Sequence, residues 1–306
     1  MLKTFFVDTT GALLLSSNDM VFRVLFLIFG VFCGSTAVIF IKASAEHPVL
    51  LSSYRLLVAG VALTPLFLCD FRKYQTDVVR QHLRSTFLPG IALALHFISW
   101  IIGARLTTAA NASLIVNLVP VVIPFFLFSM IREKLTRGEF MGTVLALTGM
   151  FLLTVTDFNL SRTYFWGDVL CFVSMLFFTW YLALGRKNRG LLSIWLYVVP
   201  LYYIAGIFCF LVALGFVNPI KPYPLREIAF IFALGLIPTV MGHSILNYAM
   251  KTLRGQLVSV VNMGQFIFAG ILAFFLLKEA PGVMFYAASL LIVAGAWLAI
   301  NSTARQ

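Results

Sequence analysis

Long apolar stretches alternate with short, charge-bearing breaks along this chain. The stretches run roughly 21–41, 48–69, 86–104, 109–131, 138–156, 165–185, 191–215, 227–250, 255–277 and 282–300. Each is about the 20 residues a helix needs to cross the hydrocarbon core of a bilayer. With no water at mid-depth, only hydrogen-bonded helices or closed barrels can span it. Runs this long and this continuously apolar predict helices, because barrel strands show a ten-residue alternation instead. The pattern predicts an all-α integral membrane protein with ten transmembrane helices, numbered here as spans 1 to 10.

The second half of the chain echoes the first at an offset of 146 residues. Ser113 matches Ser259, Phe128 matches Phe274, and the Arg132–Glu133 pair matches Lys278–Glu279. Leu145, Gly149 and Leu152 match Leu291, Gly295 and Leu298. The shift corresponds to five spans, an odd number, so equivalent breaks face opposite sides of the membrane. Two inverted five-helix repeats are expected, at 21–156 and 165–300, between an N-terminal tail (1–20) and a C-terminal tail (301–306). Inverted repeats with a site near mid-membrane are an architecture of secondary transporters.

Charge then orients the spans. With the N-terminus inside, fifteen of the 22 Lys and Arg lie on the inner side. Six lie outside (Lys42, Arg105, Arg162, Lys221, Arg226 and Lys278), and Arg55 is left within span 2. This bias predicts cytoplasmic termini. The tail carries Asp8 and Asp19 and too short an apolar run for a signal peptide; Met20 is an alternative start. A composition 61% hydrophobic and 11% charged excludes an ordinary soluble domain. The net charge of +11 sits in short inner breaks, where insertion requires it, so no nucleic-acid partner is expected. The longest break, about 70–85, is too short to be a soluble domain. The expected partners are the lipid bilayer and a small-molecule substrate, with a homodimer left open. Cys33, Cys69, Cys171 and Cys209 form no CxxC pair. No metal site, disulfide or cofactor is expected.

Several short motifs occur in order. Gly34, Ser35 and Thr36 through Lys42 lie in span 1, and Tyr54–Arg55 and Ala59–Gly60 in span 2. Thr107 to Ala110 open span 4, Pro120 lies within it, and Arg132 to Thr136 follow it. Gly142 to Gly149 lie in span 5, Gly167–Asp168 open span 6, Lys278–Glu279 follow span 9, and Leu290 to Gly295 lie in span 10. Over about residues 22–300 the chain resembles the drug/metabolite transporter superfamily, specifically its EamA-type members. The resemblance implies a ten-helix carrier working by alternating access, with a central cavity lined largely by spans 3, 4, 8 and 9 and parts of spans 1, 2, 6 and 7. One departure is Gln265–Phe266 in span 9, where the family often has Glu–Pro; a kink there is expected at Gly264.

The same helices stand out from their polar residues, which are costly at mid-depth and usually face the bundle interior. Span 3 places Ala92, His96, Ser99 and Gly103 on one face, bordered by Trp100. Span 4 does so with Ala110, Ser113, Asn117 and Pro124, and span 8 with Gly235, Thr239, His243 and Asn247. Span 9 carries Ser259 and Asn262, flanked by Gln265. Ser35, Arg55, His96, Trp100, Ser113, Asn117, Tyr181, His243, Asn247, Ser259, Asn262 and Gln265 are the candidate substrate-binding residues. Each has a bland alternative, because Asn, Ser and small residues also hold helices together. His96 and His243, nearly equivalent under the repeat, read as a proton relay, as a carboxylate-binding pair or as hydrogen-bonded neutral imidazoles. Arg55 lies some seven residues into span 2, where it is expected to snorkel outward, to serve a structural role or to face a substrate.

None of the eleven acidic residues falls at mid-depth, which leaves a cation without a partner there. No catalytic motif appears, so no enzyme activity is expected. The expected function is a carrier for a small metabolite, an amino acid or related zwitterion or anion. A non-transporting receptor or assembly protein on the same fold is the alternative, as is a multidrug cation exporter.

Overall fold

The computed structural model describes residues 17–107, 112, 115–157, 164–277 and 283–304. Ser113, Lys278 and Glu279 lie outside the described residues. The fold is the expected bundle of ten helical spans. Span 1 is Ser17–Ser35 followed by Ala37–Ala43, span 2 is Pro48–Lys73, and span 3 is Thr76–Leu106. Span 4 is described from Val119 to Ile131 and span 5 from Arg137 to Asp157. Spans 6 and 7 are Phe165–Lys187 and Trp195–Ala213. Span 8 joins Leu225–Leu234, Gly235–His243 and Ser244–Thr252; span 9 joins Gly255–Asn262 and Gln265–Leu277; span 10 is Val283–Ala304. Among the described residues, eight helices are long and apolar enough to cross a membrane. The outward faces of the bundle carry large apolar side chains such as Phe125, Phe151 and Trp297, as lipid contact demands.

The break expected at 70–85 is not a loop. Span 3 begins at Thr76, so only Tyr74 and Gln75 separate spans 2 and 3. Residues 76–85 hold no Gly or Pro, and Asp77 lies in the helix's first turn, where the helix dipole favours an acid. The stretch reads as polar because it continues the helix past the apolar band. His82 ties it down, with Nδ1 2.6 Å from Val78 O and Nε2 accepting from Ser193 N at 3.1 Å.

Glycine contacts reveal the symmetry of the bundle. A Cβ on Gly60 would lie 3.3 Å from the Tyr203 ring, and one on Gly206 would lie 2.9 Å from Leu57. Gly60 and Gly206 stand 146 residues apart, as do Leu57 and Tyr203, so exchanging the halves turns one contact into the other. Spans 5 and 10 cross in the same way: a Cβ on Gly142 would be 2.4 Å from Gly295 O, and one on Gly149 would be 2.7 Å from Ala288 O. The pairs 2–7 and 5–10 therefore sit on the pseudo-two-fold axis. The pairs 3–6 and 1–8 are images of each other. Glycine at these crossings lets backbones approach closely without help from hydrophobic driving force in lipid.

Spans 4 and 9 are interrupted at equivalent points, Asn117–Leu118 and Met263–Gly264. Short-range bonds close each break: Leu118 N to Ile115 O at 3.2 Å, and Gly264 N to Val261 O at 3.0 Å. The kink expected at Gly264 is present. Span 8 departs from the α-helix through a π-helical segment, Gly235–His243. Pro238 lacks the N–H that would bond Leu234 O. Thr239 fills the gap, its Oγ1 donating to that carbonyl at 2.7 Å.

Candidate functional site

Arg55 is the centre of the site. It is buried to 1% exposure, which corrects the expectation that it snorkels. Its neighbours on span 2, Leu56, Ala59 and Gly60, are buried with it, so no route to the headgroups is open along its own helix. Its Nε donates to Thr239 Oγ1 at 3.0 Å. Its guanidinium carbon sits 4.3 Å over the Phe97 ring. Its Nη1 is buried with no hydrogen-bond partner.

The histidines of spans 3 and 8 flank this group. His243 meets Phe97 edge-on at 5.2 Å and Phe178 at 6.1 Å, and its Nδ1 is buried and unpaired. His96 is engaged instead. Its Nδ1 lies 2.8 Å from Ser174 Oγ and 3.2 Å from Ser174 O. A carbonyl only accepts, so Nδ1 carries the proton. The His96 ring stacks on Phe178 at 4.6 Å and on Trp100 at 6.2 Å. Tyr181, fully buried, accepts from Asn247 Nδ2, which also donates to His243 O at 2.8 Å. Tyr202 closes the floor, donating to Thr239 O at 3.2 Å with Ser244 Oγ at 3.0 Å.

The structure therefore gathers Arg55, His96, Trp100, Tyr181, His243 and Asn247 around Phe97 and Phe178. Ser35, Asn262 and Gln265 form a neighbouring group. Gln265 Nε2 donates to Asn262 Oδ1 at 2.8 Å and overhangs Gly34, which packs against Gly242 beside His243. Ser35 Oγ donates back to Phe32 O at 2.6 Å. Ser259 is likewise turned onto its own helix, donating to Gln256 O at 2.8 Å. Asn117 sits at the break in span 4, half-buried. Phe97, Ser174, Phe178 and Tyr202 were not singled out by sequence. Nothing distinguishes Phe97 and Phe178 among 31 phenylalanines, although Phe97 directly follows His96.

Ion pairs close both ends of the bundle around this centre. At the Lys- and Arg-rich end, Glu133 accepts from Arg186 at 2.8 Å and from Gly255 N at 3.0 Å. Glu139 accepts from Arg254 Nε at 2.6 Å and Nη2 at 3.0 Å. Arg254 also reaches Lys134 O, and neighbouring Glu139 and Glu133 hold its pKa above the usual arginine value despite the opposing effect of burial. Each pair joins the first half to the second. At the other end, Lys221 donates to Glu46 at 2.7 Å, Arg105 to Glu46 O at 2.8 Å, and Ser44 to Glu227.

This geometry agrees with comparison to known proteins. The model of the EamA-like transporter family matches residues 21–155 and again 165–301. The chain belongs to the EamA-like transporter family and is a multi-pass membrane transporter. It is 26% identical over 233 residues to an uncharacterized transporter of Archaeoglobus fulgidus, covering 74% of this chain and 76% of that protein. An uncharacterized transporter of Methanothermobacter thermautotrophicus is 22% identical over 278 residues, covering 84% of this chain and 79% of the relative. A solved crystal structure superposes with a TM-score of 0.78 at 20% identity, covering 93% of this chain and 99% of that one, and speaks for the fold.

Proposed function

We propose that this chain is a secondary carrier that moves a small carboxylate-bearing metabolite, an amino acid or related zwitterion or anion, by alternating access. One observation carries the reading: the buried, unpartnered Nη1 of Arg55. Buried polar groups are rarely left unsatisfied, and those that are call for a functional explanation. A carboxylate is the partner that a guanidinium binds best. The described ion pairs hold Glu46, Glu133 and Glu139 at the two ends of the bundle, away from Arg55. The equivalent breaks in spans 4 and 9 support alternating access, since interrupted helices at matching positions mark binding sites in inverted-repeat carriers. A cation exporter fits less well, because Arg55 already covers the Phe97 face and repels a second positive charge. The charge count supports cytoplasmic termini.

Uptake into proteoliposomes tests the proposal. Arg55→Gln should abolish accumulation of a labelled carboxylate, and Arg55→Lys should keep part of it. Full transport by a folded Arg55→Gln protein refutes the reading.

A further inference from the structure

We propose that the site around Arg55 selects a monocarboxylate anion that has an apolar body and no ammonium group. The inference rests on the carboxylate reading above and narrows it. Two buried nitrogens lack partners, Arg55 Nη1 and His243 Nδ1, and both side chains lie against the Phe97 ring. One carboxylate satisfies both, taking one oxygen to the guanidinium and the other to the Nδ1–H tautomer of His243.

An ammonium group finds no carboxylate at the site; with the proton of His96 on Nδ1, the acceptor open to it beside the rings is the neutral Nε2 of that ring. The neighbouring oxygens are committed: Thr239 Oγ1 accepts from Arg55 and donates to Leu234 O, and the Tyr202 hydroxyl bonds Thr239 O and Ser244. Ser174 is held by His96, and Tyr181 by Asn247. An ammonium taken from water with a neutral acceptor and no carboxylate is heavily penalised. A second carboxylate fares no better. Arg186, Arg254 and Lys221 are paired to Glu133, Glu139 and Glu46 at the ends of the bundle. The rest of the ligand meets rings instead, the stack of Trp100, His96 and Phe178. Apart from His96 Nε2 this is an apolar surface, since the Nδ1 edge of His96 is turned to Ser174.

Two matched sets isolate the charge. One is 3-phenylpropionate, phenylalanine, benzylsuccinate and 2-phenylethylamine. The other is 4-methylpentanoate, leucine, isobutylsuccinate and 3-methylbutylamine. Each is titrated against the purified full chain, reading thermal stabilisation in nanodiscs and competition for uptake in proteoliposomes. In at least one set the monocarboxylate should half-saturate at a concentration about ten-fold or more below its three relatives, the minimum expected of one unsatisfied buried charge. His243→Gln should weaken the monocarboxylate, and Arg55→Gln should abolish its binding. Should Arg55→Gln fail to fold, Arg55→Lys and His243→Gln carry the test, since both keep a hydrogen-bonding group in place. Equal or tighter binding of the amino acid, lost in the Arg55 variant, overturns the selection and leaves the carboxylate reading standing. Equal binding of the dicarboxylate does the same. Preference for the amine, or binding indifferent to Arg55, overturns both. Binding of none of the eight overturns the selection.

Discussion

Removing Arg254 should destabilise the protein more than removing the charge of its partner, and removing both should recover part of the loss. Glu139 is fully buried, and the Arg254 side chain keeps 23% exposure. Glu139 also serves a second structure. Its Oε2 accepts from Thr136 N at 2.9 Å while Thr136 Oγ1 accepts from Glu139 N at 3.0 Å, a reciprocal cap on span 5. Arg254→Met strands a buried carboxylate, which costs about 3–5 kcal/mol. Glu139→Gln keeps the cap, since Gln serves at that position, and leaves Arg254 able to turn to water. Its cost should be that of a charged hydrogen bond, about 1.5–3 kcal/mol. The double variant removes the stranded charge and should be more stable than Arg254→Met by about 1–2 kcal/mol, the difference between those two costs. Denaturation of the purified protein, followed by tryptophan fluorescence, measures all three. A loss under about 1 kcal/mol for Arg254→Met, typical of exposed pairs, would refute the buried-clasp argument, as would a double variant weaker than both singles.

Three further outcomes are expected. Gly142→Val should abolish folded yield, because its Cβ would stand 2.4 Å from Gly295 O, whereas Gly190→Ala, with nothing within 4 Å, should behave as the parent; size-exclusion profiles check both. His47 is held below its ordinary pKa of 6.5 first by burial and then by Arg105. The unfolded chain therefore binds the proton more readily, so the stability His47 contributes is present above about pH 6.5 and is lost as pH falls through that value; melting curves between about pH 5 and 7 should flatten in His47→Gln. Pro238→Ala restores the missing N–H and should let span 8 become α-helical, turning His243 by about 100°, with stability kept or raised and ligand binding lost; unchanged ligand binding in a folded variant contradicts the assigned role of the π segment.

How much the sequence discloses follows from the length scale of each signal. Span positions rest on runs of about 20 residues, and the inverted repeat on matches spread over the whole chain, so both are legible. The repeat is even visible in packing, since Gly60 and Gly206 occupy equivalent crossings. The ends of spans are less legible where polarity and helicity part company. Thr76 to Ser85 leave the apolar band but remain helical, because hydropathy reports the bilayer and the backbone continues until something stops it. Within the site, ionisable residues announce themselves by their cost at mid-depth, which is how Arg55, His96 and His243 are found. Their settings are not announced. Arg55 and Thr239 lie in different halves of the chain, and only the three-dimensional fold shows that one hydroxyl takes Nε while Nη1 is left over.

The two halves share a sequence pattern but not a conformation, and the difference falls in one place. Spans 4 and 9 break at matching residues. Spans 3 and 6 are continuous helices, yet their partners under the repeat, spans 8 and 1, are irregular: one through the π segment and the other through its interruption at Thr36. These two irregular spans pack on each other, with Gly242 against Gly34 and Gly30 against Ile245. Arg55 reaches from the first half to Thr239 of the π segment, so this cation is held by the irregular span. Its repeat equivalent is Leu201, an apolar residue. The site is thus single although the scaffold is double. A carboxylate that takes Arg55 Nη1 and His243 joins spans 2 and 8, the first half to the second. By linkage, ligand occupancy can shift the arrangement of the halves only by as much as this bridge differs between their states. On the proposed carrier reading, alternating access would use two similar ways to pack the halves, and the unrepeated arginine is the element by which a bound carboxylate would distinguish them.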